Sequence, residues 1–286
     1  MSRFGRPGPR WYTIPPHRPF LKDLAEGLLQ DLPPPAALAE AVVLVPSRRA
    51  ARALAEAFVT AGGGRALLLP DIRALGDLEE GEPPFEPGEI ALELPAAISP
   101  WRRRFELARL VHANAPLLER SLDAAAALDL ADALGGFLDS VALDEAGPLP
   151  PAVEWVDADM ARHWQVSAAF LSIALDAWPK RLAELGLIDV MERRVRLTRA
   201  LAARWAEQPP TTPLIAAGST GASPATAALL AAIAQAPRGL VVLPGLDVTL
   251  AEPAWDAVGD QHPQAAMKRL LDHAGVDRAA VEAWTP

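Results

Sequence analysis

A chain of 286 residues with a hydrophobic fraction of 51% can bury a large core and hold one large or two ordinary domains, although much of that fraction is alanine. A formal charge of −9 argues against non-specific attraction of the whole surface to nucleic acid, while leaving room for a local basic patch. The absence of cysteine excludes disulfides and thiolate chemistry and fits a reducing, cytoplasmic setting.

The opening MSRFGRPGPR is basic but leads into no apolar run, so it does not read as a secretory signal. From residue 11 to about 78 the pattern is β-α-β-α-β. Trp11–Ile14 predicts a strand and Phe20–Leu32 its helix. The apolar run Val42–Val45 then stops at Pro46-Ser47 and passes into a helical pattern from Arg48 to about Ala61, closed by Gly62-Gly63-Gly64. A third strand is expected at Arg65–Leu69. Strands alternating with helices of this length predict a parallel sheet with right-handed crossovers.

Residues 79–100 are acidic and proline-rich without a sustained period, as expected of a surface connection. Helical spacing then dominates. Trp101, Phe105, Ala108 and Val111 or His112 recur on one face, Leu122–Val141 gives a second helix, and Met160–Leu185 a third with Trp164 and Trp178 among its apolar positions. Asp189-Val190-Met191-Glu192 has the form of a capping box opening a fourth helix that runs to about Glu207. After Pro209-Pro210 the α/β pattern returns, with a strand at Leu214–Ala217, a helix at Ala222–Ala236, a strand at Leu240–Pro244 and a helix around Met267–His273. The charge-free stretch from Pro213 to Pro237 is long enough for a membrane span, but Gly218, Ser219, Thr220, Gly221, Ser223 and Pro224 in its middle predict strand, loop and helix instead. No membrane association is expected. The 29 prolines sit mainly between periodic segments, and no internal repeat is visible.

Four segments, YTIPPHRPFLKDLAEGLL at Tyr12–Leu29, VPSRRAARALAEAF at Val45–Phe58, GRALLLPDIRALGDL at Gly64–Leu78 and LIAAGSTGASPATAALLAAIA at Leu214–Ala234, resemble the N-terminal part of AddB of the alphaproteobacterial type. WPKRLAELGLID at Trp178–Asp189, GLVVLPGLD at Gly239–Asp247 and QHPQAAMKRLL at Gln261–Leu271 add to the resemblance, in order and over nearly the whole chain. It implies a degenerate superfamily-one helicase domain: a RecA-like α/β domain of the 1A type with an all-helical, 1B-like insertion. The expected divisions are 1–100, 101–208 and 209–286. It also implies a chain truncated relative to the family, without the second helicase-like half and the nuclease. The implied partners are an AddA-like active subunit, single-stranded DNA and DNA ends.

The residues themselves bear on chemistry apart from that resemblance. A phosphate loop needs converging N–H groups, a lysine and a hydroxyl for Mg²⁺. The turn after the first strand is Pro15-Pro16-His17-Arg18-Pro19, whose prolines remove three N–H donors, and Lys22 follows with no Ser or Thr beside it. By order along the chain Leu214–Ala217 should carry the metal-ordering carboxylates, yet it runs into Gly218-Ser219-Thr220. No nucleotide, metal or other cofactor site is expected. The histidines at 112, 163, 262 and 273 have no metal-ligand spacing, Glu79-Glu80 and Asp157/Asp159 read as solvated acids, and Gly218-Ser219-Thr220-Gly221 lacks the nucleophile-elbow spacing. Ser47, Arg48 and Arg49 are the candidate DNA contacts, because a helix start bearing two guanidiniums suits a backbone phosphate. Trp101-Arg102-Arg103-Arg104 could stack a base beside phosphates, although such a tryptophan is more often a helix-packing anchor and such arginines a solvated face. Together with the eroded nucleotide site, the resemblance implies a non-catalytic, DNA-handling scaffold in double-strand-break repair and recombination. The alternatives are a purely structural interaction module and an ATPase with an unusual loop.

Overall fold

Apolar runs too short to be buried helices form the centre of a six-stranded, all-parallel sheet. The computed structural model describes residues 2–33, 36–75, 94–116, 122–146 and 170–286. Most of the connection expected at 79–100, the start of the helix expected from Met160, and Trp155, Trp164 and His163 lie outside the described residues. The strands are β1 (Trp11–Ile14), β2 (Val42–Val45), β3 (Asp71–Ala74), β4 (Leu214–Ala217), β5 (Gly239–Pro244) and β6 (Glu282–Ala283), in the spatial order β3-β2-β4-β5-β1-β6. Every pairing is parallel, for example Trp11 with Val241 and Val42 with Leu214.

The described chain falls into two compact units, one formed by Met1–Pro87 with Leu197–Pro286 and the other by Gly88–Arg196. In the first, the sheet is covered on both faces, and the strand residues alternate between two cores. On one face Tyr12, Ile14, Val43, Val45, Ile215, Ala217, Leu240 and Val242 pack against α1 (Phe20–Asp31) and α3 (Arg48–Ala61), with Trp284. A short helix, α2 (Ala36–Ala39), contributes Leu38 to this side. On the other face Trp11, Leu44, Leu214, Ala216, Val241 and Leu243 meet α8 (Pro224–Gln235), α9 (Glu252–Asp256) and α10 (Ala265–Ala274). The connections leaving β1 and β2 therefore cover one face, and those leaving β4 and β5 the other. β1 beside β5 and β2 beside β4 are the two places where outgoing chains diverge, the positions at which open parallel sheets hold ligands.

The expected third strand is displaced. Arg65–Leu69 forms no strand, and Leu68 and Leu69 are exposed; the strand is Asp71–Ala74, where Asp71 N–H donates to the Ala41 carbonyl at 2.9 Å and Leu75 N–H to that of Val45 at 2.7 Å. As an edge strand it is half-exposed and carries the Arg73–Asp71 ion pair, so it lacks the apolar run that marks a central strand. The other edge, β6, pairs Tyr12 with Glu282 and Thr13 with Ala283 and was not expected at all.

The second unit contains α4 (Pro100–Ala113), α5 (Ala124–Leu143), α6 (Trp178–Leu185) and the first part of α7 (Val190–Glu207) around Ile98, Leu107, Val111, Leu134, Ile173 and Trp178. Ile173–Ala177, just before α6, is a π-helical turn in which the Trp178 N–H reaches back to the Ile173 carbonyl. Pro179 has no N–H to donate and its ring crowds the preceding turn, which the wider spacing relieves. Among the described residues of 101–207 there is no strand; Ile188 makes one isolated parallel bridge to Ala97. The insertion does not run to 208 as a compact body. Leu201, Ala202 and Trp205 of α7 are apolar and pack into the sheet unit's second core, so that unit takes in the chain from Leu197. Among the described residues no helix is long and apolar enough to cross a membrane; Pro213–Pro237 is β4, a loop and α8.

Candidate nucleic-acid interface at the carboxyl edge of the sheet

The carboxyl ends of β1, β5 and β4 are closed by packing. The loop after β1 makes a turn in which the Arg18 N–H donates to the Pro15 carbonyl at 3.0 Å. Pro16 lies against Gly245, the residue after β5, with a distance of 3.3 Å between the proline Cβ and a Cβ built at the glycine. Gly245 has φ +77° and donates its N–H to the Ile14 carbonyl at 2.9 Å, a conformation and a closeness that both favour glycine. Gly218, after β4, has φ +79° and is covered in the same way by the Phe20 ring and Pro46. Below them Thr13 is buried, and its hydroxyl accepts from the Leu246 N–H at 3.0 Å.

The cations of this edge are mostly engaged. Arg18 pairs with the buried Asp23 carboxylate, whose hydrogen bond holds the guanidinium above its ordinary pKa. Lys22 is exposed and lies 3.9 Å from Glu26, one turn along α1. His17 is exposed. The hydroxyls after β4 serve local structure: Ser219 Oγ accepts from the Gly221 N–H at 3.3 Å and Ser223 caps α8 by accepting from the Thr226 N–H at 3.3 Å.

The end of β4 carries no carboxylate, and β5 stands between β4 and β1. The acid beside β1 is Asp247, in the loop after β5, which the sequence reading passed over although GLVVLPGLD places it three residues past the strand. Its Oδ1 accepts from Thr249 N–H (2.8 Å), Thr249 Oγ1 (2.7 Å) and Leu250 N–H (3.0 Å). These bonds, the Thr249 hydroxyl's foremost, hold its carboxyl below the usual range. Gln264 fixes the same loop by donating to the Gly245 carbonyl and accepting from the Asp247 N–H, both at 3.1 Å. Asp247 is thereby committed to its own turn. Among the described residues no three His, Asp or Glu side chains form a group able to hold a metal ion.

Ser47, Arg48 and Arg49 stand at the end of β2. Ser47 is in extended conformation (φ −147°, ψ 162°) and its hydroxyl accepts from the Ala50 N–H at 3.2 Å, so it is the cap of α3. Arg48 and Arg49 are the first two residues of the helix and both are exposed. Arg49 makes no ion pair among the described residues. The positive end of a helix of 14 residues and two guanidiniums are thus collected at one place.

The Trp101–Arg104 run is not a packing anchor beside a solvated basic face. Trp101 is 69% exposed, so it is no packing anchor, and Arg103 is buried, so the arginines are no uniform solvated face. Arg103 Nε donates to Asp189 Oδ2 at 2.9 Å, and Arg103 Nη2 lies 2.8 Å from Asp139. Asp189 Oδ2 also accepts from Trp178 Nε1 at 3.0 Å, while its Oδ1 accepts from the Met191 N–H at 3.0 Å. Asp189 therefore caps α7 as expected, but Glu192 pairs with Arg196 rather than closing a capping box. Trp178 is buried as expected and Trp205 is half-buried against the sheet core. No protein-family model matches the chain, and no curated protein is significantly similar to it in sequence.

Proposed function

We propose that this chain is a non-catalytic, RecA-like helicase domain of the AddB type, which handles single-stranded DNA and scaffolds an AddA-like active subunit in double-strand-break repair and recombination. One observation carries the reading: the sheet edge where a triphosphate would lie is filled by Pro16, Phe20 and Pro46 over two glycine turns, while the neighbouring β2–α3 turn exposes Arg48 and Arg49 behind the Ser47 cap. A nucleotide needs space and free donors at the first place; a phosphodiester backbone needs only cations at the second. The resemblance in the β1, β2 and β4 segments supplies the repair context.

The test is single-strand binding by the chain together with its AddA-like partner over a range of salt. Arg48→Ala with Arg49→Ala should weaken binding similarly for all DNA sequences and lower the magnitude of the salt slope by about 1.4, roughly 0.7 for each phosphate no longer neutralised. An unchanged slope would remove both arginines from the interface, and no binding to single strands or DNA ends would sink the proposal.

A further inference from the structure

Helix α4 packs Leu107, Ala108 and Val111 into the core of its unit, yet it also buries charge and leaves its two aromatics outside. Arg103 and Glu106 are buried, whereas Trp101 and Phe105 are 69% and 54% exposed. A tryptophan ring is among the largest apolar surfaces a chain can bury, and a buried ion pair adds little stability over well-packed apolar side chains. Folding alone gives no return for this arrangement.

The outward residues form a stripe. Trp101, Phe105, Arg109 and His112 are spaced by four, four and three, one face of a helix, and all are exposed, with Arg102 exposed on its flank. Among the described residues, the carboxylates that pair with α4 side chains are each held by a guanidinium. Arg181 donates to Glu106 at 3.0 and 3.2 Å, Arg104 to Asp132 at 2.7 and 2.8 Å, and Arg103 pairs with Asp139 and Asp189. The Glu106 carboxyl lies 3.7 Å from Arg109 but faces inward. What the stripe offers is two aromatic faces among cations.

We infer that the exposed face of α4 is a second single-stranded nucleic-acid contact, in which Trp101 and Phe105 stack on bases and Arg102 and Arg109 meet phosphates. Charge favours a polyanion over an apolar protein surface. Spacing favours a single strand over a duplex: at 1.5 Å per residue the two aromatics stand about 6 Å apart along the helix, wider than the roughly 3.4 Å between stacked nucleotides of a duplex strand. Stacking on a π-face tolerates any base, so the contact is sequence-independent. The ligand class is that of the proposed function, and the inference rests on that reading for it, but the residues are distinct from Ser47, Arg48 and Arg49.

Fluorescein-labelled oligo(dT) titrated into the whole chain at several salt concentrations tests this. Trp101→Ala with Phe105→Ala should weaken binding by at least about tenfold and leave the salt slope unchanged, because stacking releases no counterions. Arg102→Ala with Arg109→Ala should lower the slope's magnitude by about 1.4. Trp101→Phe should keep most of the affinity. Since both rings are exposed, the circular dichroism and Tm of the aromatic variant should match wild type. Unchanged oligo(dT) affinity in the aromatic variant overturns the inference; if Arg48→Ala with Arg49→Ala weakens binding in the same assay, the proposed function survives that result. Intact oligo(dT) affinity with lost co-purification of the AddA-like partner would assign the stripe to a protein contact and overturn it equally.

Discussion

Replacing Trp284 with alanine should destabilise the sheet unit more than any other single truncation near the end of the chain. Its ring is buried between β1 and α1, with the Tyr12 ring edge-on at 5.6 Å and the Arg3 guanidinium 4.0 Å from its centroid. Its indole N–H donates to the Asp23 carbonyl at 2.9 Å, and its backbone N–H to the Thr13 carbonyl at 2.8 Å, tying the chain end to both elements. Truncating a buried tryptophan costs about 3–5 kcal/mol, and loss of the aromatic pair adds about 0.5–1.5 kcal/mol. A loss of about 3.5–6.5 kcal/mol is a large part of the 5–15 kcal/mol that holds a typical domain together. At about 2–4 °C per kcal/mol for a unit of this size, Tm should fall by roughly 7–26 °C in a calorimetric or circular-dichroism melt. Trp284→Phe keeps one aromatic ring but loses the indole hydrogen bond to Asp23 and part of the buried ring, so it should cost more than the about 1 kcal/mol of the hydrogen bond alone and less than Trp284→Ala. A Tm within about 2 °C of wild type for Trp284→Ala would show that this ring is not part of the core, and the pairing of β6 with β1 would fall with it.

Three further outcomes are expected. Arg103→Ala leaves Asp189 and Asp139 without their guanidinium and should cost about 3 kcal/mol; Arg103→Met should cost clearly less when made together with Asp189→Asn, and equal losses in the two proteins would refute the pairing. ATP with Mg²⁺ should leave Tm unchanged, because ligand binding to the folded state raises it by mass action; a saturable rise, or hydrolysis abolished by Lys22→Ala, would restore the nucleotide site. Glu106 is held below the ordinary carboxyl range chiefly by its hydrogen bond to Arg181. A depressed folded pKa gives stability that is fully present above the unfolded value of about 4.3 and lost as pH falls through the folded one. The helical unit should therefore lose stability on acidification below about pH 4.3, and Glu106→Gln should flatten that part of the Tm–pH curve; an unaltered curve would show that this carboxylate contributes nothing.

The sequence alone determined β1, β2, β4 and β5, because each is a short apolar run bounded by proline, serine or glycine, and a fully buried parallel strand has no other signature. It determined the α3 cap as well, since Ser47 acts through a residue three positions away. What is local in the chain could be read in the chain. β3 and β6 could not: edge strands carry charge and exposed positions, and only their partners β2 and β1 define them. The neighbour of β1 was likewise a matter of sheet order, which set β5 rather than β4 beside it. The face of α4 was decided at the greatest distance. Periodicity assigned Trp101 and Phe105 to the core by their hydrophobicity, but Asp189, 86 residues on, takes Arg103 inward and the aromatics turn outward. Ala108 and Val111, which recur at the same spacing, stay buried, so periodicity marks the candidates for burial and the partners supplied by the rest of the fold decide which of them are taken inward.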